Sequence, residues 1–166
     1  ALPQLRWLEA PLATRAQIAR VHDRGLVASV LDTVTTTPMR LDQDTVLCPD
    51  AAQAALRACG AGIAAVDAVL GDRTRQAFCA VRPPGHHATG STAMGFCLFN
   101  SVAVAAAHAL AGHALQRVAI LDFDVHHGNG TQAIFYDDPT VFYFSTHQWP
   151  LYPGTGQPAE TGCGNI

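Results

Sequence analysis

The chain has 166 residues, which is long enough for one domain with a buried core, and 49% of them are hydrophobic, which excludes a disordered chain. The formal net charge is −3 without a basic block, so we expect no direct nucleic-acid binding. The longest apolar stretches, over 51–71 and 101–115, are interrupted by Gly, Asp, Arg or His. Because a membrane span needs roughly 20 apolar residues and no signal segment is recognisable, we expect no membrane segment.

The five cysteines are odd in number and contain no CxxC pair. Two of them, Cys59 and Cys79, lie in apolar sequence surroundings. We therefore expect the cysteines to be small buried hydrophobic residues in a reducing compartment, which indicates a cytoplasmic protein.

Capping residues and apolar periodicity predict two helical regions in the first half of the chain. Thr14 and Gln17 fit a capping box, while Pro49-Asp50 and Gly71 mark the start and end of a second helix. The predicted segments are a helix over 14–30 broken near 22–25, a polar connector over 33–37, and a helix over 51–70.

Short apolar runs that alternate with helical segments predict an α/β architecture for the rest. The predicted elements are a strand over 77–81, a loop over 82–98, a helix from Asn100 to about 110, a strand over 117–123, a helix over 131–136, a strand over 140–144 and a loop over 147–166. Apolar strands without alternation favour a parallel sheet buried on both faces, with right-handed crossovers. Ligands bind beyond the carboxyl ends of such strands, so the loops leaving that edge should form a site.

Polar side chains follow the strand over 117–123. In an extended strand alternate residues share a face, so Asp122, Asp124 and His126 should point the same way. Such groups are costly to bury unpaired, and a bound cation is the simplest remedy. Carboxylate and imidazole ligands suit zinc, and also manganese or iron(II). The alternative is an aspartate that caps the next turn beside an ordinary histidine.

A pair of histidines, His86 and His87, follows two prolines that stiffen the backbone. A rigid imidazole near a metal could take a proton from bound water at neutral pH. Its other ring nitrogen would need an acceptor, and Asp122 and Asn129 are available. The alternative is a solvent-exposed pair.

Gly95, Phe96 and Tyr152 are candidate walls of a ligand pocket, because a glycine beside an aromatic ring lets a thin ligand approach closely. Core packing is the alternative. The histidines of the helical stretches are expected to be ordinary surface or core residues: His22, His108 and His113.

Five segments together resemble the histone deacetylase superfamily, which includes acetylpolyamine and bacterial deacetylase-like amidohydrolases. They are RPPGHH at 82–87, GFCLFN at 95–100, LDFDVHHGNGT at 121–131, FSTH at 144–147 and YPGTG at 152–156. The resemblance covers nearly the whole chain, and Asn129 is more typical of the class II and bacterial branch. It implies a three-layer α-β-α fold with a parallel sheet, of the arginase and deacetylase type.

The resemblance also implies roles for individual residues. Zn²⁺ would be bound by Asp124 and His126, with His87 as the general base, His86 hydrogen-bonded to Asp122, and Asn129 supporting His87. A structural K⁺ would be bound by Asp122 and Ser145 with the carbonyls of Asp124, His126 and Thr146, and a second monovalent cation by carbonyls near Phe135, Asp138 and Val141. Gly95, Phe96 and Tyr152 would line the substrate channel.

The implied reaction is hydrolysis of the amide of an N-acetylated lysine peptide or a small acyl-amine by metal-activated water. The family's third zinc ligand, its oxyanion tyrosine and its opening strand have no counterpart in these 166 residues. We therefore interpret 1–166 as a partial deacetylase-like domain that could be inactive alone. A binding-only domain is the alternative, and a binuclear manganese hydrolase of the arginase type is less favoured. The oligomeric state has no signal in the sequence.

Overall fold

The computed structural model describes residues 5–166, so the first four residues of the predicted partial domain over 1–166 lie outside the described residues. In chain order the elements are α1 (Arg15–Ile18), α2 (Arg24–Leu31), β1 (Met39–Arg40), β2 (Val46–Leu47), α3 (Ala51–Leu70), α4 (Ser101–His113), β3 (Val118–Asp122), α5 (Asn129–Phe135) and β4 (Val141–Ser145).

Helices α1, α3 and α4 begin where the capping residues predicted, whereas α5 begins at Asn129, two residues before its predicted start. The capping box of Thr14 and Gln17 forms, and the first helical region divides into α1 and α2 because Asp23 caps a new helix with its side chain. The Asn100 side chain accepts the N–H of Ala103 at the start of α4. The antiparallel pair β1–β2 was missed, because strands of two residues are too short to show alternation.

The two long strands, β3 and β4, pair in parallel, and Asp122 lies opposite Ser145 in their register. The predicted strand over 77–81 is wrong, since 77–80 are exposed and no described strand pairs with them. An apolar run alone does not make a strand, because its backbone N–H and C=O groups need a partner along their whole length. Here Val81 N–H turns back to the carbonyl of Cys79 instead, at 3.1 Å.

Among the described residues the sheet is buried on one face, whereas burial on both faces was predicted. Along β4, Tyr143 is buried, whereas Phe142 and Phe144 are about half exposed, and Leu121 on β3 is 66% exposed. One face packs against α4 and α5, and none of the described elements covers the other.

Helix α3 packs along α4, and together they form the largest helix–helix contact of the described chain. By length and composition α3 is long and apolar enough to cross a membrane, with a mean hydropathy of 1.3 over its apolar window. The length of the apolar runs in the sequence therefore did not exclude a membrane span. Its buried residues are those of a helix that contributes to the core. Only Cys59 and Cys97 are buried; the expectation of burial is wrong for Cys48, Cys79 and Cys163.

His22 ties the helical region to the start of α4. Its Nδ1 lies 2.9 Å from the carbonyl of Thr89 and must donate, so its Nε2 accepts the N–H of Asn100, also at 2.9 Å. Burial lowers the pKa of His22, although hydrogen bonds to backbone groups oppose this. The neutral ring is therefore the form that satisfies both partners.

Candidate active site

The loop over 82–98 is fixed to the start of α5 by its backbone. The N–H groups of Gly130 and Thr131 donate to the carbonyl of His86 at 3.0 and 3.1 Å. The Asn100 side chain donates to the carbonyl of Ala88 at 3.1 Å and to the Thr131 hydroxyl at 3.0 Å. The two histidines are thus placed at the carboxyl edge of β3, as the sequence predicted.

His86 is paired with a partly buried carboxylate. Its Nδ1 lies 3.0 Å from Asp122 Oδ2, and the hydroxyl of Tyr143 donates to the same oxygen, also at 3.0 Å. Burial acts to raise the pKa of Asp122, but the hydrogen bond and charge of His86 outweigh it and leave that pKa lowered. Asp122 is therefore an ionised partner that holds His86. Tyr143 was missed by the sequence analysis, because a buried tyrosine on a strand looks like any core residue.

His87 is paired with a neutral amide. Its Nδ1 lies 2.8 Å from Asn129 Oδ1, and because that oxygen only accepts, the ring donates from Nδ1 and keeps its lone pair on Nε2. The residue is 5% exposed, and burial lowers the pKa of His87 although the hydrogen bond to Asn129 opposes the shift. At neutral pH His87 is therefore an uncharged base, whereas its neighbour His86 is held by a carboxylate.

Asp124 and His126 lie beyond the end of β3. The prediction that they share a strand face with Asp122 was therefore wrong. The backbone bends after Asp122, and Asp124 Oδ1 accepts from the N–H of His126 at 2.8 Å. The same oxygen lies 3.0 Å from His126 Nδ1, and both side chains are nearly half exposed. Burial acts to raise the pKa of Asp124, but the hydrogen bonds from His126 leave it lowered.

The geometry of this pair fits two ligands of a zinc ion. In a tetrahedral site with bonds of about 2.0–2.2 Å, neighbouring ligand atoms are about 3.3 Å apart, close to the 3.0 Å between Asp124 Oδ1 and His126 Nδ1. Within residues 5–166 no third metal-ligating side chain converges on them. The described residues thus supply two ligands, and the assignment to zinc stays a prediction.

Two glycines allow the close packing of the site. An ideal Cβ at Gly95, where φ is +57°, would lie 2.4 Å from Cδ2 of His87. An ideal Cβ at Gly128 would lie 2.2 Å from Asp122 Oδ2 and 2.6 Å from the hydroxyl of Tyr143. A side chain at Gly95 would displace the His87 ring, and one at Gly128 would displace the Asp122 carboxylate that holds His86.

The predicted channel walls lie around His87. The Tyr152 ring stands edge-on to it, with centroids 4.9 Å apart, and is 6.4 Å from the His126 ring. Phe96 follows Gly95, is 62% exposed and is anchored through its N–H to the Thr45 hydroxyl at 3.0 Å. Burial, with the negative charge of Asp44 next, raises the pKa of Tyr152 to about 12, so its phenol stays protonated.

Three residues of the first predicted K⁺ site, Asp122, Ser145 and Thr146, lie together at the ends of the two parallel strands. Asp122 and Ser145 are register partners, and the N–H of Thr146 donates to the carbonyl of Asp122 at 3.0 Å. The Ser145 hydroxyl contacts Nδ1 of His147 at 2.9 Å. Oxygen donors of this kind suit a hard cation, and the ion itself stays a prediction.

The carbonyls of the second predicted cation site converge on one point, which an amide group takes. Asn165 Nδ2 lies 2.7, 3.0 and 2.9 Å from the carbonyl oxygens of Phe135, Asp138 and Val141. An amide has only two hydrogens for these three acceptors. A cation would fit the acceptors, but it would have to displace Asn165.

A hydrogen-bonded chain behind the site was not predicted. Its members are His127, Thr155, Gln132 and Glu160. His127 Nε2 donates to Gln132 Oε1 at 2.8 Å, its Nδ1 accepts from the Thr155 hydroxyl at 2.7 Å, and Gln132 donates to Glu160 at 2.6 Å. These hydrogen bonds fix the loop that carries Tyr152. No pattern in the sequence signals a contact between residues this far apart.

The paired histidines, with the aspartates beyond them, can be compared with known proteins. The histone deacetylase domain matches this chain over residues 1–166. The chain belongs to the histone deacetylase family. The HDA15 HD domain, known from a crystal structure, superposes with a TM-score of 0.90 at 39% identity, covering 93% of this chain and 46% of that one. This confirms the predicted α/β fold of the deacetylase type.

Relatives of this histone deacetylase family member come from different organisms. Histone deacetylase 14, chloroplastic, of Arabidopsis thaliana is 42% identical over 163 residues, which cover 92% of this chain and 38% of that protein. Polyamine deacetylase HDAC10 of Rattus norvegicus is 42% identical over 153 residues, covering 85% of this chain and 26% of that protein. The chain spans less than half the length of these relatives.

Proposed function

We propose that the protein containing this chain hydrolyses the amide of N-acetylated lysine side chains or of related small acyl-amines. The observation that carries the proposal is the different pairing of the two histidines. His87 donates from Nδ1 to neutral Asn129 and keeps Nε2 free, while His86 is held by the ionised Asp122. One ring is thus prepared to accept a proton, beside a residue pair suited to a metal.

Zinc bound by Asp124 and His126 would polarise the acyl carbonyl and lower the pKa of water toward ~7. His87 Nε2 takes the proton as the water oxygen adds to the acyl carbon, and it returns that proton to the amine as the C–N bond breaks. The products are acetate and a free amine. Tyr152, whose ring lies edge-on to His87, would form one wall for the acyl-amine chain.

The test measures acetate release and zinc content together, in the intact protein, with an acetyl-lysine peptide and an N-acetylated polyamine as parallel substrates. Both are used because relatives are named as histone deacetylases and as polyamine deacetylases. We expect chelator-sensitive release from at least one substrate. His87→Ala should abolish turnover and keep the zinc, whereas Asp124→Ala should lose one equivalent of zinc.

A second candidate is a deacetylase-like domain that binds acyl-amines without hydrolysing them. Protein that contains zinc and binds an acetylated substrate, yet releases no acetate, would refute hydrolysis and support this candidate. Near-native turnover in His87→Ala would instead refute the role of that residue as the base.

A further inference from the structure

A second cluster of metal-ligating side chains lies where α3 packs against α4. Asp67 near the end of α3 faces His108 and His113, which lie in the second half of α4. His108 Nε2 and His113 Nε2 are 2.7 and 2.8 Å from the same oxygen, Asp67 Oδ1. All three ligand atoms lie within 4.8 Å of one another. The cluster is carried by helices and is separate from the loops that hold the candidate active site.

We propose that Asp67, His108 and His113 bind a divalent transition-metal ion such as Zn²⁺, which would link α3 to α4. Two imidazoles, one carboxylate and a solvent position form a ligand set that zinc accepts. A tetrahedral ion would need neighbouring ligand atoms about 3.3 Å apart, so each present contact would widen by only about 0.6 Å. Asp67 is 40% exposed, which leaves a direction open for water.

The end of α4 is shaped to hold one of these rings. Gly112 lies directly under the His108 imidazole, where an ideal Cβ would be 3.0 Å from Cε1 and 3.3 Å from Nδ1. A larger residue would push the ring away from Asp67. His113 is the last residue of the helix, since Ala114 takes the left-handed conformation with φ of +53°. The His113 side chain therefore leaves the helix at its last residue, where the backbone changes direction.

Arg20 competes with metal binding, so the proposal predicts that removing its side chain strengthens binding. Its Nη1 lies 3.0 Å from His108 Nδ1 and can only donate, so the His108 proton sits on Nε2, facing Asp67. Metal binding at Nε2 requires that proton to move to Nδ1, which requires Arg20 to leave. Arg20 is exposed and lines an open groove of about 570 Å³, so the guanidinium has room to move away from His108.

The test measures Zn²⁺ affinity of the intact protein by competition with a chromogenic chelator. The parent carries Asp124→Asn and His126→Gln, which remove the predicted catalytic ligands. We expect one equivalent to bind, with affinity falling roughly tenfold or more in Asp67→Asn and in His113→Gln. Arg20→Gln should raise the affinity severalfold, because the competing donor is gone. Asp137→Asn, the same change at an exposed carboxylate, is the matched control and should leave it unchanged.

Two further readouts separate binding from misfolding. Zn²⁺ should raise the melting temperature of the parent but not of His113→Gln, and the visible spectrum of bound Co²⁺ should change in the same variant. In protein with native Asp124 and His126, Asp67→Asn should lower the zinc content by one equivalent. Unchanged affinity in both ligand variants, or weaker binding in Arg20→Gln, would overturn the proposal. Because the readout is metal binding, the result is independent of whether the protein is a deacetylase.

Discussion

Replacing Asn129 by Asp tests how the site sets the charge of its base. The Asn129 amide oxygen accepts from His87 Nδ1 at 2.8 Å, and burial lowers the pKa of His87 below its usual 6.5. A carboxylate in the same place would favour the protonated ring. Protonated His87 cannot accept a proton from water, so the acid limb of the rate profile should move to higher pH.

The size of the shift follows from the contact distance. With each charge spread over its group, the protonated His87 ring and the carboxylate of the Asn129→Asp variant would lie about 4 Å apart, and an effective dielectric constant of about 20 gives about 4 kcal/mol. At about 1.36 kcal/mol for each pKa unit, this sets a ceiling of about 3 units. The cost of placing a carboxylate in a half-buried position subtracts from it, so we expect the pKa of His87 to rise by about 1–2 units.

The assay is kcat/KM for acetate release between about pH 5 and 9 in the intact protein, with zinc content measured at each pH. Toward the acid end of the range the variant's kcat/KM should approach between about a tenth and a hundredth of the native value, which is the full effect of a shift of 1–2 units, and the two should converge toward the alkaline end. Gln116→Glu adds the same charge at an exposed position before the amino end of β3, away from the site, and should not move the acid limb. An unchanged limb with zinc retained would refute the assignment of His87 as the base.

Three further predictions concern stability and packing. Burial lowers the pKa of His22, so below about pH 6.5 the unfolded chain binds a proton at this residue more readily than the folded chain does. The free energy of unfolding, measured in urea, should therefore be highest above about pH 6.5 and decrease toward pH 5, and His22→Gln should flatten this slope. Gly128→Ala should displace Asp122, lower kcat/KM at least tenfold and lower the free energy of unfolding by about 1–3 kcal/mol. The control is Gly25→Ala, whose new Cβ makes only an ordinary 3.4 Å contact, and native kinetics in Gly128→Ala would contradict this packing. Asn165→Ala leaves three carbonyl oxygens without their amide donor, so in choline chloride it should destabilise the fold by about 1–3 kcal/mol. In KCl a K⁺ ion at the same carbonyls should partly restore the stability, and equal melting temperatures of the variant in both salts would contradict a cation site there.

The parts of the fold that the sequence predicted are those that depend on neighbouring residues. The capping box at Thr14 and the cap at Asn100 are local hydrogen bonds, so their residue types are visible in the sequence. The strand over 77–81 depended on a distant partner and did not form. The same limit applies to His108, which the sequence presents as an ordinary helical residue and which the packing of two helices brings to Asp67.

The candidate site was predicted in its residues but not in its geometry. His87 and Asn129 were identified together through the resemblance, yet only the structure fixes which ring nitrogen carries the proton. Asp124 and His126 were placed on a strand that ends before them. A period of two residues describes the chain only while the strand continues, and the bend after Asp122 decides which oxygens face one another.

The two aspartates of the site do different work because their surroundings differ. Asp122 has little exposed surface, and its Oδ2 is already engaged by His86 and by Tyr143, so that oxygen is committed to holding the paired histidines. Asp124 is about half exposed and shares Oδ1 with a single neighbour, His126. An ion that arrives from solvent therefore meets the more exposed carboxylate of Asp124 first. It follows that replacing Asp124 should remove the metal while leaving His86 in place, whereas replacing Asp122 should release His86 and leave a buried tyrosine hydroxyl without its acceptor.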